Sequence, residues 1–304
     1  MFNGLLSSTH SDQIVPFQLE HSDLRGRFVR LSATLDEILT KHQYPPSVAR
    51  LTAEAATLAC LLGSMLKTDG IFSLQAKGDG PVSMLVADYT ADGALRAYAN
   101  FNNDNLAGVP EGFAALLGSG YLAFTIDRGA DFERYQGIVE IAGDSLAAAA
   151  QHYFLQSEQI RTELKFFSAQ QNGEWQAAAL CIQAMPQTDH SGAHDLGMLP
   201  PGWDEASALL YTLSAHEALN PALHPHDILF RLFHERGVRV YDTVHVQHRC
   251  RCGLERAQRA VAMLTDAEAC ELSEKDLVEV KCEFCSSTYQ FTLDEVRRLR
   301  EEQA

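Results

Sequence analysis

The sequence predicts an α+β fold. It places antiparallel sheets around one buried helix in an N-terminal core, then a helical linker, then a small C-terminal module. Three observations carry this. Short apolar runs alternate with turns such as Ala91-Asp92-Gly93 and Gln171-Asn172-Gly173, which is the chemistry of hairpins and not of βαβ crossovers. Residues 48–66 are rich in Ala and Leu and apolar nearly all round in their second half, as in a helix buried on more than one side. The pattern stops at Pro186, and five of the seven cysteines lie beyond residue 249.

Taken in order, residues 13–19 and 26–31 read as strands and 36–40 as a short helix. Pro45-Pro46-Ser47 opens the helix at 48–66, since proline suits a first helical turn. Strands follow at 71–75, 82–88, 95–100, 121–127 and 136–141. Asp144 or Ser145 caps a helix over 145–155. Strands at 163–168 and 175–185 complete the core. Residues 187–201 are polar, with Gly, His and Pro, and mark the clearest boundary. The divisions are therefore a core at 1–196, a linker at 197–248 and a module at 249–304. The linker holds helices at 206–219 and 226–235 and a strand at 238–247. A charged helix, 293–302, closes the chain.

The 304 residues include 40 acidic and 24 basic side chains, a formal net charge of −16. Such a surface repels phosphate backbones, so no nucleic-acid partner is expected. The N-terminus has no basic segment leading into an apolar one, and no run is long enough to span a membrane, so a cytoplasmic location without membrane contact is the expectation. Cysteines in a reducing compartment are metal ligands, redox groups or buried thiols more often than disulfide frameworks.

Cys250-Arg251-Cys252 and Cys282-Glu283-Phe284-Cys285 are two close thiol pairs separated by residues 253–281. Each pair fits one short turn, and together they can supply a tetrahedral tetrathiolate zinc site, one Zn2+ per chain. Four thiolates leave such a site doubly negative, and the flanking Arg249, Arg251, Arg256 and Lys281 favour the ionised sulfurs. Spacing alone favours a purely structural zinc. Two physical points favour a switch. A disulfide between residues two apart closes a small ring, and strained disulfides are the labile ones. A small module also depends on its metal for folding, at about 10–16 kcal/mol of apparent binding energy.

These cysteines resemble those of the heat-shock protein 33 family of redox-regulated chaperones, and the resemblance runs essentially the full length. It includes Glu255-Arg256, Tyr289-Gln290-Phe291, Gly78-Asp79-Gly80-Pro81, Tyr135-Gln136-Gly137-Ile138-Val139, Tyr153-Phe154-Leu155-Gln156-Ser157-Glu158-Gln159 and Leu232-Phe233-His234-Glu235. The resemblance implies an ATP-independent holdase, with no catalytic residues, that protects unfolding proteins under oxidative stress. Reduced and zinc-bound, it would be an inactive monomer. Oxidation would pair Cys250 with Cys252 and Cys282 with Cys285, release zinc, unfold the module and loosen the linker. The active form would be a homodimer that binds unfolded clients. Gly253-Leu254, where the family often has Ser-Arg, the extra Cys270 and the polar segment 187–197 depart from the pattern.

The linker's apolar stripes offer a candidate client surface: Leu209, Tyr211, Leu213, Ile228, Leu229, Leu232 and Phe233. The plain account of them is packing against the core, which a switch needs in its off state. Cys60 and Cys181 read as inert buried thiols and Cys270 as a spectator. The pairs His190/His194, His224/His226 and His245/His248 read as solvated or locally bonded imidazoles. Gly78-Asp79-Gly80-Pro81 and Gly118-Ser119-Gly120 precede strands and lack the context of a phosphate loop. Two other classes compete with the chaperone: a constitutive zinc ribbon that binds RNA or a protein, and a thiol oxidoreductase using Cys282 and Cys285.

Overall fold

The structure, a computed structural model, describes residues 10–66, 69–129, 132–185 and 199–302. The chain divides into two units, Met1–His248 and Arg249–Ala304. The expected core–linker boundary at 196/197 lies outside the described residues, and the described segment 199–248 belongs to the first unit.

The first unit begins with β1 (Gln13–Leu19), β2 (Leu24–Leu31), α1 (Ala33–Thr40) and α2 (Pro46–Gly63). It continues with β3 (Ile71–Gly78), β4 (Val82–Thr90), β5 (Ala94–Phe101), α3 (Phe113–Leu117), β6 (Gly120–Asp127), β7 (Tyr135–Glu140), α4 (Leu146–Tyr153), β8 (Thr162–Gln171) and β9 (Glu174–Ala184). The linker segment adds α5 (Trp203–Thr212), α6 (Ala215–Leu219), α7 (Pro225–Phe233), β10 (Val238–Val240), β11 (Val244–His245) and β12 (Gln247–His248). Sheet A runs β10-β1-β2-β9-β8, with β11 also paired to β1, and sheet B runs β12-β5-β4-β3-β6-β7. The α2 helix packs on β3, β4 and β5 of sheet B and on β2, β8 and β9 of sheet A. It is the buried spine its composition predicts, with Ala53, Ala56, Leu58, Cys60 and Leu61 fully covered.

Sheet A is buried on both faces because side chains alternate along a strand. On β9, Ala177, Ala179 and Cys181 join the α2 core, while Ala178, Leu180 and Ile182 join a second core. That second core is roofed by the linker helices through Trp203, Ala206, Leu210, Leu213, Ile228, Leu229, Leu232 and Phe233. The Phe17 and Phe233 rings stack with centroids 5.6 Å apart.

Two core cations hold the linker helices by their C-terminal carbonyls, which helix geometry leaves unpaired. Lys165 Nζ donates to the carbonyls of Tyr211 (2.6 Å) and Leu213 (2.8 Å) at the end of α5. Arg30, only 2% exposed, donates from Nε to Ala218 O (2.8 Å) and from Nη1 to Leu223 O (2.8 Å). Longer contacts reach Glu217 O and His10 O, both 3.4 Å. Among the described residues these partners are all backbone carbonyls, and burial lowers the Arg30 pKa to about 10.

Four expectations are corrected. The helix over 206–219 is two helices, because Ser214 and Glu217 form a capping box that starts a new one after an extended Leu213. The helix over 48–66 ends at Gly63, with Ser64 as its C-cap. The strand over 238–247 is three short pieces that pass from sheet A to sheet B. Sheet B is not wholly antiparallel, since β12 lies parallel to β5.

The second unit contains α8 (Leu254–Ala262), α9 (Asp266–Leu272), β13 (Ser273–Glu274), β14 (Leu277–Lys281), β15 (Thr288–Thr292) and α10 (Leu293–Glu301). Its antiparallel sheet runs β13-β14-β15. The fully covered core is small: Ala257, Val261, Ala269, Val278, Phe291 and Val296. Capping boxes at Thr265/Glu268 and Thr292/Glu295 start α9 and α10.

Gly26 on β2 marks how closely the second core is packed. A Cβ there would lie 2.1 Å from Phe17 Cζ and 2.5 Å from Cys181 O. Gly26→Ala is expected to destabilise the first unit by about 1–3 kcal/mol through forced displacement of Phe17. The check is a lower urea midpoint with an unchanged slope.

Candidate metal centre

The four cysteines occupy two short backbone features of the second unit. Cys250 and Cys252 lie on the irregular segment before α8. Cys282 and Cys285 lie on the turn between β14 and β15. That turn is closed by Cys282 N–H donating to Ser287 O (2.9 Å) and Ser286 N–H donating to Cys282 O (2.8 Å). Ser286 takes the left-handed conformation, φ 58°, that reverses the chain.

The fold brings all four sulfurs together. They lie within 4.8 Å of one another, with Cys250 and Cys282 Sγ 3.6 Å apart and Cys252 and Cys285 Sγ 3.3 Å apart. Sulfurs about 2.3 Å from a shared tetrahedral ion would be about 3.8 Å from each other, so the set fits one metal ion. All four thiols are half-buried. Tyr289 on β15 donates its hydroxyl to Cys252 Sγ (3.4 Å), and Cys285 Sγ and Ser287 Oγ are hydrogen-bonded at 3.2 Å. Ser287 is a supporting residue that the sequence reading did not single out, and Tyr289 is one that it named only as part of a motif, with no role at the sulfurs. Their signal is position, since both follow the second cysteine pair within one strand's reach.

The thiols differ in acidity. Burial pushes Cys282 up to about 12, helped by the neighbouring sulfurs of Cys285 and Cys250 and opposed by the Cys285 and Phe284 amides. Burial also raises Cys252, against the Tyr289 hydrogen bond. Burial opposes ionisation of Cys285 too, but hydrogen bonds from the Ser287 side chain and amide, and from Cys252 and Cys250, bring it down to about 6. Burial and hydrogen bonding dominate these shifts, rather than the flanking cations Arg249, Arg251, Arg256 and Lys281.

The other singled-out residues fall elsewhere. Cys60 and Cys181 are buried, and burial pushes Cys60 well above the usual thiol range and Cys181 to about 12, so both are poor nucleophiles. Cys270 is exposed on α9 and is not among the four clustered sulfurs. His190 and His194 lie outside the described residues. His248 Nδ1 contacts Glu37 Oε1 (2.9 Å) and Lys41 Nζ (3.3 Å) within the first unit. His224 and His226 are not simply solvated, because their rings contact each other and His224 also meets His10. Of the candidate client residues, Leu213, Ile228, Leu229, Leu232 and Phe233 are buried, Leu209 is half-buried and Tyr211 is 49% exposed. Phe230, 63% exposed on α7, was missed because it falls between the buried positions of the stripe.

Cys252 and Cys282 hold their protons at neutral pH, so binding one soft divalent ion at pH 7 should release roughly two or more protons, as a pH indicator in weak buffer would record. Cys282→Ser should lose stoichiometric binding and Cys270→Ser should keep it. Wild-type affinity in Cys282→Ser would overturn the four-sulfur ligand set.

Comparison with known proteins places the chain in a family. The family profile described as "Hsp33 protein" matches residues 12–292. The 33 kDa chaperonin of Caulobacter vibrioides is 39% identical over 289 residues, covering 92% of this chain and 94% of its own. The 33 kDa chaperonin of Salmonella typhi is 34% identical over 292 residues, covering 95% of each. The crystal structure of the 33 kDa chaperonin (heat shock protein 33 homolog) from Thermotoga maritima superposes with a TM-score of 0.77 at 21% identity, over 96% of this chain and 99% of that one, which supports the fold. Among the described residues no helix is long and apolar enough to cross a membrane. A family profile spanning most of the chain and relatives at this identity establish that the chain belongs to the Hsp33 family of chaperones.

Proposed function

We propose that this chaperone is an ATP-independent holdase switched on by oxidation of a zinc tetrathiolate. The observation that carries the reading is the cluster of four sulfurs within 4.8 Å, set in a module with a small apolar core. A tetrahedral all-sulfur site suits zinc. Bound zinc would hold the four thiolates together and supply the folding energy that the module's own core lacks.

The chain's part in the switch is thiol chemistry. Two disulfides, Cys250–Cys252 and Cys282–Cys285, would each form by loss of two electrons and two protons from a thiol pair. One hydrogen peroxide per disulfide takes up the two electrons and, with two protons from the thiols or from solvent, leaves as two waters. Sulfurs paired in this way no longer offer four thiolates, and the module loses its fold. The division of the chain into a core at 1–196, a linker at 197–248 and a redox module at 249–304 belongs to the same proposal.

The linker supplies the client surface in this reading. While α5–α7 are docked, the face of sheet A carrying Val15, Phe17, Leu24, Phe28, Leu180 and Ile182 is covered. Undocking would uncover that face together with Leu209, Tyr211, Leu213, Ile228, Leu229, Leu232 and Phe233. Each large side chain so exposed gives up about 1.5–3 kcal/mol of burial, which an unfolding client can restore. The reduced protein is then a monomer and the oxidised one a homodimer in the cytoplasm, acting without nucleic acid, membrane or catalytic turnover.

Peroxide with mild heat, or hypochlorite, is expected to release about one zinc per chain and to suppress light scattering by a thermally unfolding client in the same sample. Zinc release with no gain in client protection would sink the switch. Mass mapping of the oxidised chain tests the pairing, and Cys250 joined to Cys282 would overturn it.

A further inference from the structure

The linker's third helix starts on a histidine that must be neutral. His224 is the N-cap of α7, and its Nδ1 accepts the backbone N–H of His226 at 3.1 Å. That bond requires the proton on Nε2, because an imidazolium has donors only. The His10 ring lies against it with centroids 4.2 Å apart, and the His226 ring lies at 4.4 Å on the same side chain. The buried Arg30 guanidinium is bonded to the carbonyl of Leu223, the preceding residue. Among the described residues the anion that acts on the ring is Asp227, in the first turn of α7. Glu217, on α6, is engaged by Arg231 at 3.0 Å. Burial first, and then His226, His10 and Arg30, hold the His224 pKa below its ordinary value, with Asp227 opposing.

We propose that His224 is an acid-sensitive latch on the linker: a proton taken up at Nδ1 removes the N-cap of α7, places a cation at the helix's positive end beside Arg30, His10 and His226, and frees α7 from sheet A. The loss of the cap and the unfavourable helix dipole act in the same direction. The face that would be freed carries Ile228, Leu229, Leu232 and Phe233. The sign follows from linkage. A histidine whose pKa is depressed in the docked state binds more protons once released, so its contribution to docking is complete above about 6.5 and is lost as pH falls through the depressed value. This rests on the reading that the linker is the part that opens, and it adds a second trigger independent of the thiols.

The test uses the reduced, zinc-loaded full chain. Hydrogen exchange of residues 225–233, corrected for intrinsic rates, is followed from pH 7.5 to 5.5, with zinc content measured alongside. Opening of α7 should rise as pH falls below about 6.5, by at most about tenfold per pH unit, and level off once the depressed pKa is passed. His224→Asn keeps a capping acceptor that does not titrate, so its exchange should stay flat. An identical pH response in His224→Asn, or none in the wild type, would overturn the latch. The wild type's own ring resonances give an independent check: the His224 midpoint should fall below that of a histidine in the urea-unfolded chain, and a midpoint at or above it refutes the proposal. If α7 opens through His224 and no client protection appears, the latch stands and the holdase reading of the linker fails.

Discussion

Sheet A carries apolar side chains on both faces and therefore needs two covers. One is the α2 core, formed from segments joined by short hairpins. The other is α5–α7, reached across the long segment after β9. Both faces follow from one strand pattern, so neither cover can be lost without exposing a continuous apolar surface. A switchable chaperone built on this sheet has no need of a separate client groove. Its interaction surface and its packing surface can be the same residues in two states.

The two covers are held differently. The α2 core is closed mainly by apolar contact around buried side chains, with polar ties such as Ala99 N–H to the Tyr44 hydroxyl and Trp175 N–H to Asp36 at its margin. The linker cover combines apolar contact with a few directional contacts at helix ends: Lys165 on α5, Arg30 on α6 and the loop before α7, and His224 at the start of α7. A buried guanidinium bonded to carbonyls is a costly arrangement to leave unsatisfied, so it specifies where the helices seat. Directional contacts are also the ones that a change of charge can undo, whereas an apolar face responds to little short of unfolding.

The second unit follows a different logic. Its covered core is a handful of side chains, two of them alanines that bury little area. Two capping boxes and a three-stranded sheet organise it locally. The unit also carries the four sulfurs, which lie within 4.8 Å of one another. In the proposed switch these four thiols answer to oxidant, while Cys60 and Cys181 are shielded by burial.

The sequence by itself determined the parts that rest on local chemistry. The α2 spine follows from an all-round apolar helix, the hairpins from their turn residues, and the four-sulfur cluster from close cysteine pairs whose turns can hold only a few geometries. It did not reveal Arg30, which looks like an ordinary charged residue in Phe28-Val29-Arg30-Leu31 until the carbonyls that surround it are known. Nor did it reveal the break between α5 and α6, where apolar periodicity runs on but Ser214 and Glu217 restart the helix. The His10–His224–His226 cluster joins residues more than two hundred positions apart, and Tyr289 meets Cys252 only because β15 folds back across the module. Local backbone preferences are written residue by residue. Which buried polar group meets which partner depends on how the layers stack, and only the tertiary structure decides that.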